Sequence, residues 1–354
     1  MQNSDVKRTK PPWKRFRQWR FISVLLVSIG ILLFTLYNSR TESFTLLRSS
    51  FVSSKPLTSE ATPALPQVPT GEHPSSPYTV PYPHPYHFTL DQPSRCRQES
   101  PFLVLMVPVA PSNREARDVI RSTWGTETTV MGQAVNHYFV LGQPRDGENV
   151  EQLQKQVLEE SQTHGDILQS SFLDSYKNLT IKTMVMFEWL TSHCPNTSYA
   201  MKVDSDIFLN VRNLVDMLLK SPRQLYMTGV VVRDAAVMRN VDSKWFLPVS
   251  EFPEPSYPTY AMGLGYVFSM DLPQKIVEAS SHVKAVYIED VYVGLCLRYL
   301  GIQVSDPPTG GFGTFKPEVT DNCYWTKVIT TMLWDSNELK NTWTAYETQT
   351  RQCL

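Results

Sequence analysis

The sequence predicts an α/β domain of Rossmann-like type with a mostly parallel sheet, preceded by one transmembrane helix. Three observations carry this expectation. A charge-free apolar run follows a basic N-terminus, and a proline-rich stretch without apolar periodicity follows that run. Beyond it, short continuous apolar segments alternate four times with helix-forming ones, as a parallel sheet covered by helices requires.

Residues 1–20 hold Lys7, Arg8, Lys10, Lys14, Arg15, Arg17 and Arg20 against one acid, Asp5. Phe21–Ser39 then carries no charge. A helix over 21–39 reaches roughly 28 Å at about 1.5 Å per residue, which fits a thin bilayer. Trp13, Trp19 and Tyr37 fall near the two interfaces, where amphipathic rings are favoured. Arg40 and Arg48 are the basic residues that follow closely, so the charge bias puts the N-terminus in the cytosol and the rest in the lumen. The expectation is a single-pass type II signal-anchor. A cleaved signal peptide competes less well, because the run exceeds a usual apolar core and no small-x-small site follows Leu36-Tyr37-Asn38. The net charge of −1 offers no basic field for a nucleic-acid partner.

Residues 40–98 read as a linker, with Pro56, Pro63, Pro66, Pro69, Pro74, Pro77, Pro81, Pro83, Pro85 and Pro93 recurring along it. Such a stretch builds no core and stays extended and solvated, as a stem does. The folded domain is expected over 99–354. Five cysteines, Cys96, Cys194, Cys296, Cys323 and Cys353, all lie past the apolar run, in a compartment that permits disulfides. None forms a Cys-x-x-Cys zinc pattern, and the odd count leaves at least one unpaired within the chain. The sequons Asn178-Leu-Thr180 and Asn196-Thr-Ser198 mark Asn178 and Asn196 as glycosylation candidates.

Within the domain, Phe102–Val107 is a continuous apolar run and predicts a strand buried on both faces. Arg114–Thr123 predicts a helix, His137–Gly142 a second buried strand, and Glu151–His164 an amphipathic helix. Asp166–Gln169 is a third short strand. Leu179, Thr183, Met186, Phe187 and Leu190 recur at helical spacing, so Tyr176–His193 is a helix. Tyr199–Val203 is the fourth strand and ends at an acidic triplet. No Gly-x-Gly-x-x-Gly follows the first strand, which argues against a dinucleotide cofactor.

Asp204-Ser205-Asp206 follows the fourth strand directly, and open α/β sheets bind ligands beyond the carboxyl ends of their strands. Two carboxylates at i and i+2 can converge on a hard cation such as Mg2+ or Mn2+, which bridges to substrate phosphates. A bare Asp-x-Asp equally suits a solvated loop; its place after an apolar strand favours the metal reading. Glu289-Asp290 opens a helix-like run, where carboxylates serve as caps or as a general base; spacing leaves both open. Tyr257–Tyr266 mixes glycines with aromatics and predicts a turn before a strand at Tyr266–Ser269. Gly263, Gly265 and Tyr266 there suit close approach to a sugar. Arg117 and Arg121 share one helical face and suit phosphate, though exposed surface arginines fit the same spacing. The histidines show no metal spacing, and no Gly-x-Ser-x-Gly supports a serine hydrolase.

Together these segments resemble the β-1,3-glycosyltransferase family. Arg117-Asp-Val-Ile-Arg-Ser-Thr-Trp-Gly125 looks like its first box, and Gly165-Asp-Ile-Leu168 with Asp174–Thr183 like its next. Lys202-Val-Asp-Ser-Asp-Ile-Phe208, Asp242-Ser-Lys-Trp245, Tyr257-Pro-Thr-Tyr260, Gly263-x-Gly-Tyr-Val267 and Glu289-Asp-Val-Tyr-Val-Gly294 follow in the family's order. The similarity covers about residues 96–345, and the galactosyltransferase branch looks closest.

The resemblance implies a GT-A fold and transfer of a hexose from a UDP-sugar with inversion, in the Golgi membrane. It implies UDP-galactose as donor and the 3-hydroxyl of a glycan on protein or lipid as acceptor, ending in GlcNAc. A UDP-GlcNAc transferase, or an inactive lectin-like or chaperone protein on the same fold, are the alternatives. Asp290 is implied as base, and Asp206 with Asp204 as ligands of Mn2+. Lys202, Ser205, Arg117 and Arg121 are implied toward the nucleotide sugar. Lys244, Trp245, Gly263, Gly265, Tyr266 and Glu289 are implied to line the cleft. Two departures stand out. Ala261-Met262 replaces the family's Cys-Ser, which leaves Cys296 or another thiol without a partner. Met332 stands where many members carry a metal-ligating histidine. A disulfide between Cys323 and Cys353 is a further expectation.

Overall fold

Val104 and Met106 of the first apolar run face one core layer, and Leu103, Leu105 and Val107 face another. That alternation, apolar on both sides, is what a central parallel strand needs. The computed structural model describes residues 76–145, 147, 149–308, 311–316 and 322–353. The expected cytosolic tail, the span at 21–39 and the linker to residue 75 lie outside the described residues. Among the described residues no helix is long and apolar enough to cross a membrane.

In chain order the first half holds β1 (Phe88–Leu90), α1 (Arg95–Glu99), β2 (Leu103–Pro108), α2 (Arg114–Ser122), β3 (Thr129–Val130), β4 (Gln133–Gln143), α3 (Val150–His164), β5 (Ile167–Leu173) and α4 (Leu179–His193). There follow β6 (Tyr199–Val203), β7 (Ile207–Leu209), α5 (Val211–Leu219), β8 (Met227–Val232), β9 (Tyr260–Ser269), α6 (Leu272–Ser280) and α7 (Glu289–Tyr299). Last come β10 (Phe312–Phe315), α8 (Tyr324–Lys327), β11 (Thr330–Met332) and α9 (Ser336–Cys353). The expected alternation of strand and helix is present, with boundaries shifted by a few residues.

The main sheet runs β1-β5-β4-β2-β6-β9-β8, with β3 pairing β4 off that path. β5, β4, β2 and β6 are parallel, while β1, β9 and β8 join antiparallel. The order reverses between β2 and β6, so a crevice opens beyond their carboxyl ends. The acidic triplet leaves β6 at that point. A second, three-stranded sheet, β10-β11-β7, follows from it, with Met332 registered opposite Ile207.

Local sequence explains the helix ends. Asn113 accepts from Ala116 N at 3.2 Å and Asn210 from Asn213 N at 3.0 Å, each satisfying an orphan N–H. α3 ends on Gly165 at φ 61°, the left-handed position glycine takes without strain. α4 is buried on most sides, including Ile181, Met184, Val185, Phe187 and Leu190, because the sheet and helices α6 and α7 pack around it.

Two stretches differ from expectation. Residues 76–98, expected as the end of an extended stem, pack on the domain: Val80 and Tyr82 are buried, and β1 pairs with β5. Apolar Val80, Tyr82, Phe88 and Leu90 recur between the prolines, and they give this part of the chain something to bury. The expected turn over Tyr257–Gly265 is half strand, since β9 starts at Tyr260 and contains both glycines. Disulfides join Cys96 to Cys194 and Cys323 to Cys353, the latter as expected. Cys296 is the buried free thiol, in the same core layer as Ala261.

Candidate active site

The acidic triplet is pinned on both sides. Asp204 N donates to Leu264 O at 3.0 Å, and Leu333 N donates to Asp206 O at 2.8 Å. Asp204, Ser205 and Asp206 are half-buried, in a turn between β6 and β7 that neighbours β9 and the end of β11. Burial, and then the charge of Asp204 nearby, push the Asp206 carboxyl above its ordinary value.

Lys202, two residues before Asp204, is buried and reaches the triplet with its ammonium. Its Nζ lies 2.6 Å from Asp204 Oδ1 and 3.8 Å from Glu289 Oε2, and it donates to Gly263 O. Burial alone would lower its pKa. The Asp204 and Glu289 carboxylates more than reverse that and hold it above the ordinary lysine range. Lys202 is therefore a fixed cation beneath the triplet.

Glu289 and Asp290 open α7, where the helix N-terminus favours carboxylates. They divide the work. Glu289 turns inward, accepting from Tyr266 Oη at 2.6 Å, and burial raises its pKa to about 7 despite Lys202. Asp290 accepts from Gly263 N at 2.8 Å and from Val291 N at 2.9 Å. Burial raises its pKa, and those two N–H bonds restrain the rise. The N–H of β9 and the first turn of α7 thus aim this carboxylate together.

Gly263 is required where β9 meets α7. A Cβ there would lie 3.1 Å from Glu289 Oε2 and 3.3 Å from Asp290 Oδ2, so glycine marks a close approach within a strand. Gly265 is buried, its virtual Cβ 3.1 Å from the Met201 methyl. Tyr266 is fully buried. These two, expected to line the cleft, offer it no free surface, because both are buried where β9 pairs with β6 and the Tyr266 hydroxyl is taken by Glu289.

Lys244 and Trp245 are exposed, with Lys244 Nζ 4.7 Å from the Trp245 ring centroid and 5.4 Å from that of Tyr176. Tyr287 Oη reaches Lys244 O at 3.0 Å and Phe246 O at 2.6 Å, holding the loop. The Lys244 charge acts on Asp206. Burial raises the Tyr176 pKa, and the charges of Asp290, Asp204 and Glu289 add to the rise. The loop and Tyr176 thus face the acidic site.

Arg117 and Arg121 do not face it. Arg117 is buried and spends its donors on Glu160 at 2.7 Å twice, on Ala110 O at 2.9 Å and on Pro111 O at 3.1 Å. Arg121 pairs with Asp166 at 2.8 Å twice and with Asp118 and Glu160 at 2.7 and 2.8 Å. Their forks are filled by carboxylates and carbonyls, so the expected nucleotide contact gives way to an internal network. Arg117 shapes the loop after β2, at the edge of the crevice. Of the sequon residues, Asn196 is exposed, whereas Asn178 is half-buried, donates to Leu173 O at 2.8 Å and precedes buried Thr180.

Lys182 is a further residue at this end of the sheet, outside the expected set. It is buried, 2.7 Å from Asp174 Oδ2 and 3.1 Å from Val109 O, and Asp174 also accepts from Gly142 N at 2.8 Å. Burial lowers its pKa against the pull of Asp174. It ties α4 to the carboxyl end of β2, and a lysine inside an otherwise apolar helix was the available signal.

The residues present suit a hard divalent cation on a diphosphate. Asp204 and Asp206 supply oxygens, and Lys202 offsets part of their charge. Met332, in the histidine's place, offers a soft thioether that does not suit Mn2+. Among the described residues no group of three or more His, Cys, Asp or Glu side chains forms a closed site, so substrate oxygens and water would complete the shell.

The sequence profile of the family described as "Galactosyltransferase" matches residues 115–308. Beta-1,3-galactosyltransferase 2 of Homo sapiens is 39% identical over 267 residues, 74% of this chain and 63% of that protein. Beta-1,3-galactosyltransferase 1 of Mus musculus is 38% identical over 264 residues, 74% of this chain and 78% of that one. The chain thus spans a little under two thirds of the length of the first of these relatives. Among solved structures, the apo form of the bifunctional glycosyltransferase WbbM overlaps 70% of this chain and 49% of its own, at TM-score 0.38 and 8% identity. The profile match covers more than half of the sequence and takes in the acidic triplet, the β9 glycines and the Glu289-Asp290 pair; the chain belongs to the galactosyltransferase family.

Proposed function

We propose that the chain transfers galactose from UDP-galactose to the 3-hydroxyl of an acceptor sugar, with inversion at the anomeric carbon. The observation that carries this reading is the Asp290 carboxylate, aimed by Gly263 N at 2.8 Å beside the acidic triplet at the sheet's switch point. Support for galactose comes from relatives named beta-1,3-galactosyltransferase.

In this mechanism Asp290 accepts the proton of the acceptor hydroxyl as its oxygen bonds the anomeric carbon. The bond from that carbon to the diphosphate oxygen breaks, and UDP leaves with the electron pair. Asp204 and Asp206 are the residues that would hold a Mn2+ ion, which when bound would supply Lewis-acid neutralisation of the leaving group. Lys202 fixes the Asp204 carboxylate, and Lys244 with Trp245 and Tyr176 borders the donor and acceptor cleft. A single inverting displacement needs base and leaving group on opposite faces of the anomeric carbon.

The acceptor is proposed to be a GlcNAc-terminated glycan on protein or lipid, and the setting a GT-A domain in the Golgi lumen, tethered by the apolar run at 21–39 as a single-pass type II anchor. Asn196 is the better placed glycosylation site, being exposed. A UDP-GlcNAc transferase is the competing activity, since the motifs do not distinguish a hydroxyl from an acetamido group.

The test is a panel of UDP-galactose and UDP-GlcNAc against GlcNAc-, GalNAc- and galactose-terminated acceptors, with Mn2+ and with chelator. Metal-dependent galactose transfer to a GlcNAc terminus is the expected result. Transfer of GlcNAc alone would replace the donor. Binding of both donors with consumption of neither would point to an inactive lectin-like or chaperone protein on this fold.

A further inference from the structure

We propose that the segment Ser76–Tyr82, on the N-terminal side of the sheet, is a positioning element for the Lys244–Trp245 loop, with Tyr78 as its wedge. The inference rests on the reading that this loop borders the donor and acceptor cleft. It adds a part of the chain that lies outside the family match at 115–308.

The Tyr78 ring sits 5.6 Å from Phe246, edge on, and 6.0 Å from Tyr287. Phe246 is the residue after Trp245, and Tyr287 is the residue whose hydroxyl holds the Lys244 and Phe246 carbonyls. Tyr78 therefore packs against both the loop and the group that clamps it. Lys177 closes the wedge from the other side. Its Nζ lies 4.4 Å from the Tyr78 ring centroid and 5.6 Å from that of Tyr287, and it donates to Pro77 O at 3.2 Å. Lys177 follows Tyr176, the ring that flanks Lys244. Two loops of the cleft thus meet on one tyrosine from the N-terminal segment.

The segment is itself anchored. Val80 and Tyr82 are buried in the core layer under α4 and α6, and Tyr82 Oη donates to Glu188 at 2.7 Å. Within the segment, Ser76 Oγ accepts from Tyr78 N at 3.3 Å. The Tyr78 hydroxyl is not needed by these contacts, which use the ring. Aromatic pairs contribute most through geometry and a cation over a ring adds to them, so removing the ring should loosen the loop while the anchored core stays folded.

Lys244 is exposed and lies in the loop itself, so trypsin reports the loop's opening directly. In the full chain, Tyr78→Ala is expected to speed tryptic cleavage after Lys244 by roughly tenfold, because cleavage follows the population of the open loop. The same variant is expected to raise the KM for UDP-galactose several-fold, with little change in kcat and an unaltered melting transition. Tyr78→Phe should match the wild type in every readout. Phe246→Leu, which removes the opposing ring, should reproduce the faster cleavage even if Tyr78→Ala folds poorly. Cleavage at the wild-type rate in both Tyr78→Ala and Phe246→Leu would overturn the proposal, as would a Tyr78→Phe variant that behaves like Tyr78→Ala. Proteolysis needs no transfer reaction, so a wild-type chain that transfers no galactose counts against the proposed activity and leaves this comparison standing.

Discussion

The backbone N–H of Gly263 donates to Asp290 Oδ2 at 2.8 Å, and Lys202 Nζ donates to the carbonyl of the same glycine. One residue of β9 therefore aims the carboxylate on α7 and the cation on β6. The base side and the diphosphate side of the proposed reaction share a single residue.

Gly263→Ala tests that sharing. Its Cβ would meet Glu289 Oε2 at 3.1 Å and Asp290 Oδ2 at 3.3 Å, and both carboxylates are held by other bonds. The expected outcome is a fall in kcat of at least about tenfold, since small misplacements of a reacting group are costly, with melting within a few degrees of wild type. Full kcat in the variant would show that Asp290 need not stand where this bond puts it.

Glu289 gives a pH dependence of stability with a definite sign. Its pKa is raised from 4.5 to about 7, chiefly by burial. The folded chain thus holds this proton more tightly than the unfolded chain does. The contribution is full below about pH 4.5 and is lost as pH rises toward about 7. A displacement of that size corresponds to on the order of 3 kcal/mol. Glu289→Gln, measured without donor, should lack this slope, so its melting temperature should change less than wild type between those pH values. Parallel melting curves in the two proteins would contradict the assignment.

Arg117 is expected to matter for folding rather than for nucleotide contact. Arg117→Met removes the bidentate partner of buried Glu160 and leaves Arg121 to hold it, and buried charged hydrogen bonds lost in this way cost about 1–3 kcal/mol. Chemical denaturation should read that loss, and UDP affinity in the folded fraction should stay near wild type. Unchanged stability with lost UDP binding would restore the nucleotide role.

The sheet was legible because its central parallel strands are apolar on both faces; the runs at His137–Gly142 and Tyr199–Val203 lie in strands, as does Phe102–Val107 from Leu103 onward. The acidic triplet was legible because it follows one of those runs. The arginines were not, since a side chain suited to phosphate is equally suited to Glu160 and Asp166, and those partners lie 43 and 45 residues away. Tyr266 and Gly265 looked like cleft residues because glycine and tyrosine suit a sugar. Their strand pairing with β6, which no local pattern reveals, buries them. The N-terminal segment was hidden by its prolines, which advertise a linker while Val80 and Tyr82 supply the burial.

The most direct measurement compares Asp290→Asn with wild type for UDP binding and for initial rate of galactose transfer in Mn2+. Asparagine keeps the shape and can still accept from Gly263 N, but it cannot take the acceptor's proton. UDP affinity should stay within a few-fold of wild type, while transfer should fall by at least about a hundredfold, the lower range for loss of a general base. Transfer at the wild-type rate by Asp290→Asn would remove Asp290 as the base and with it the mechanism built on this site.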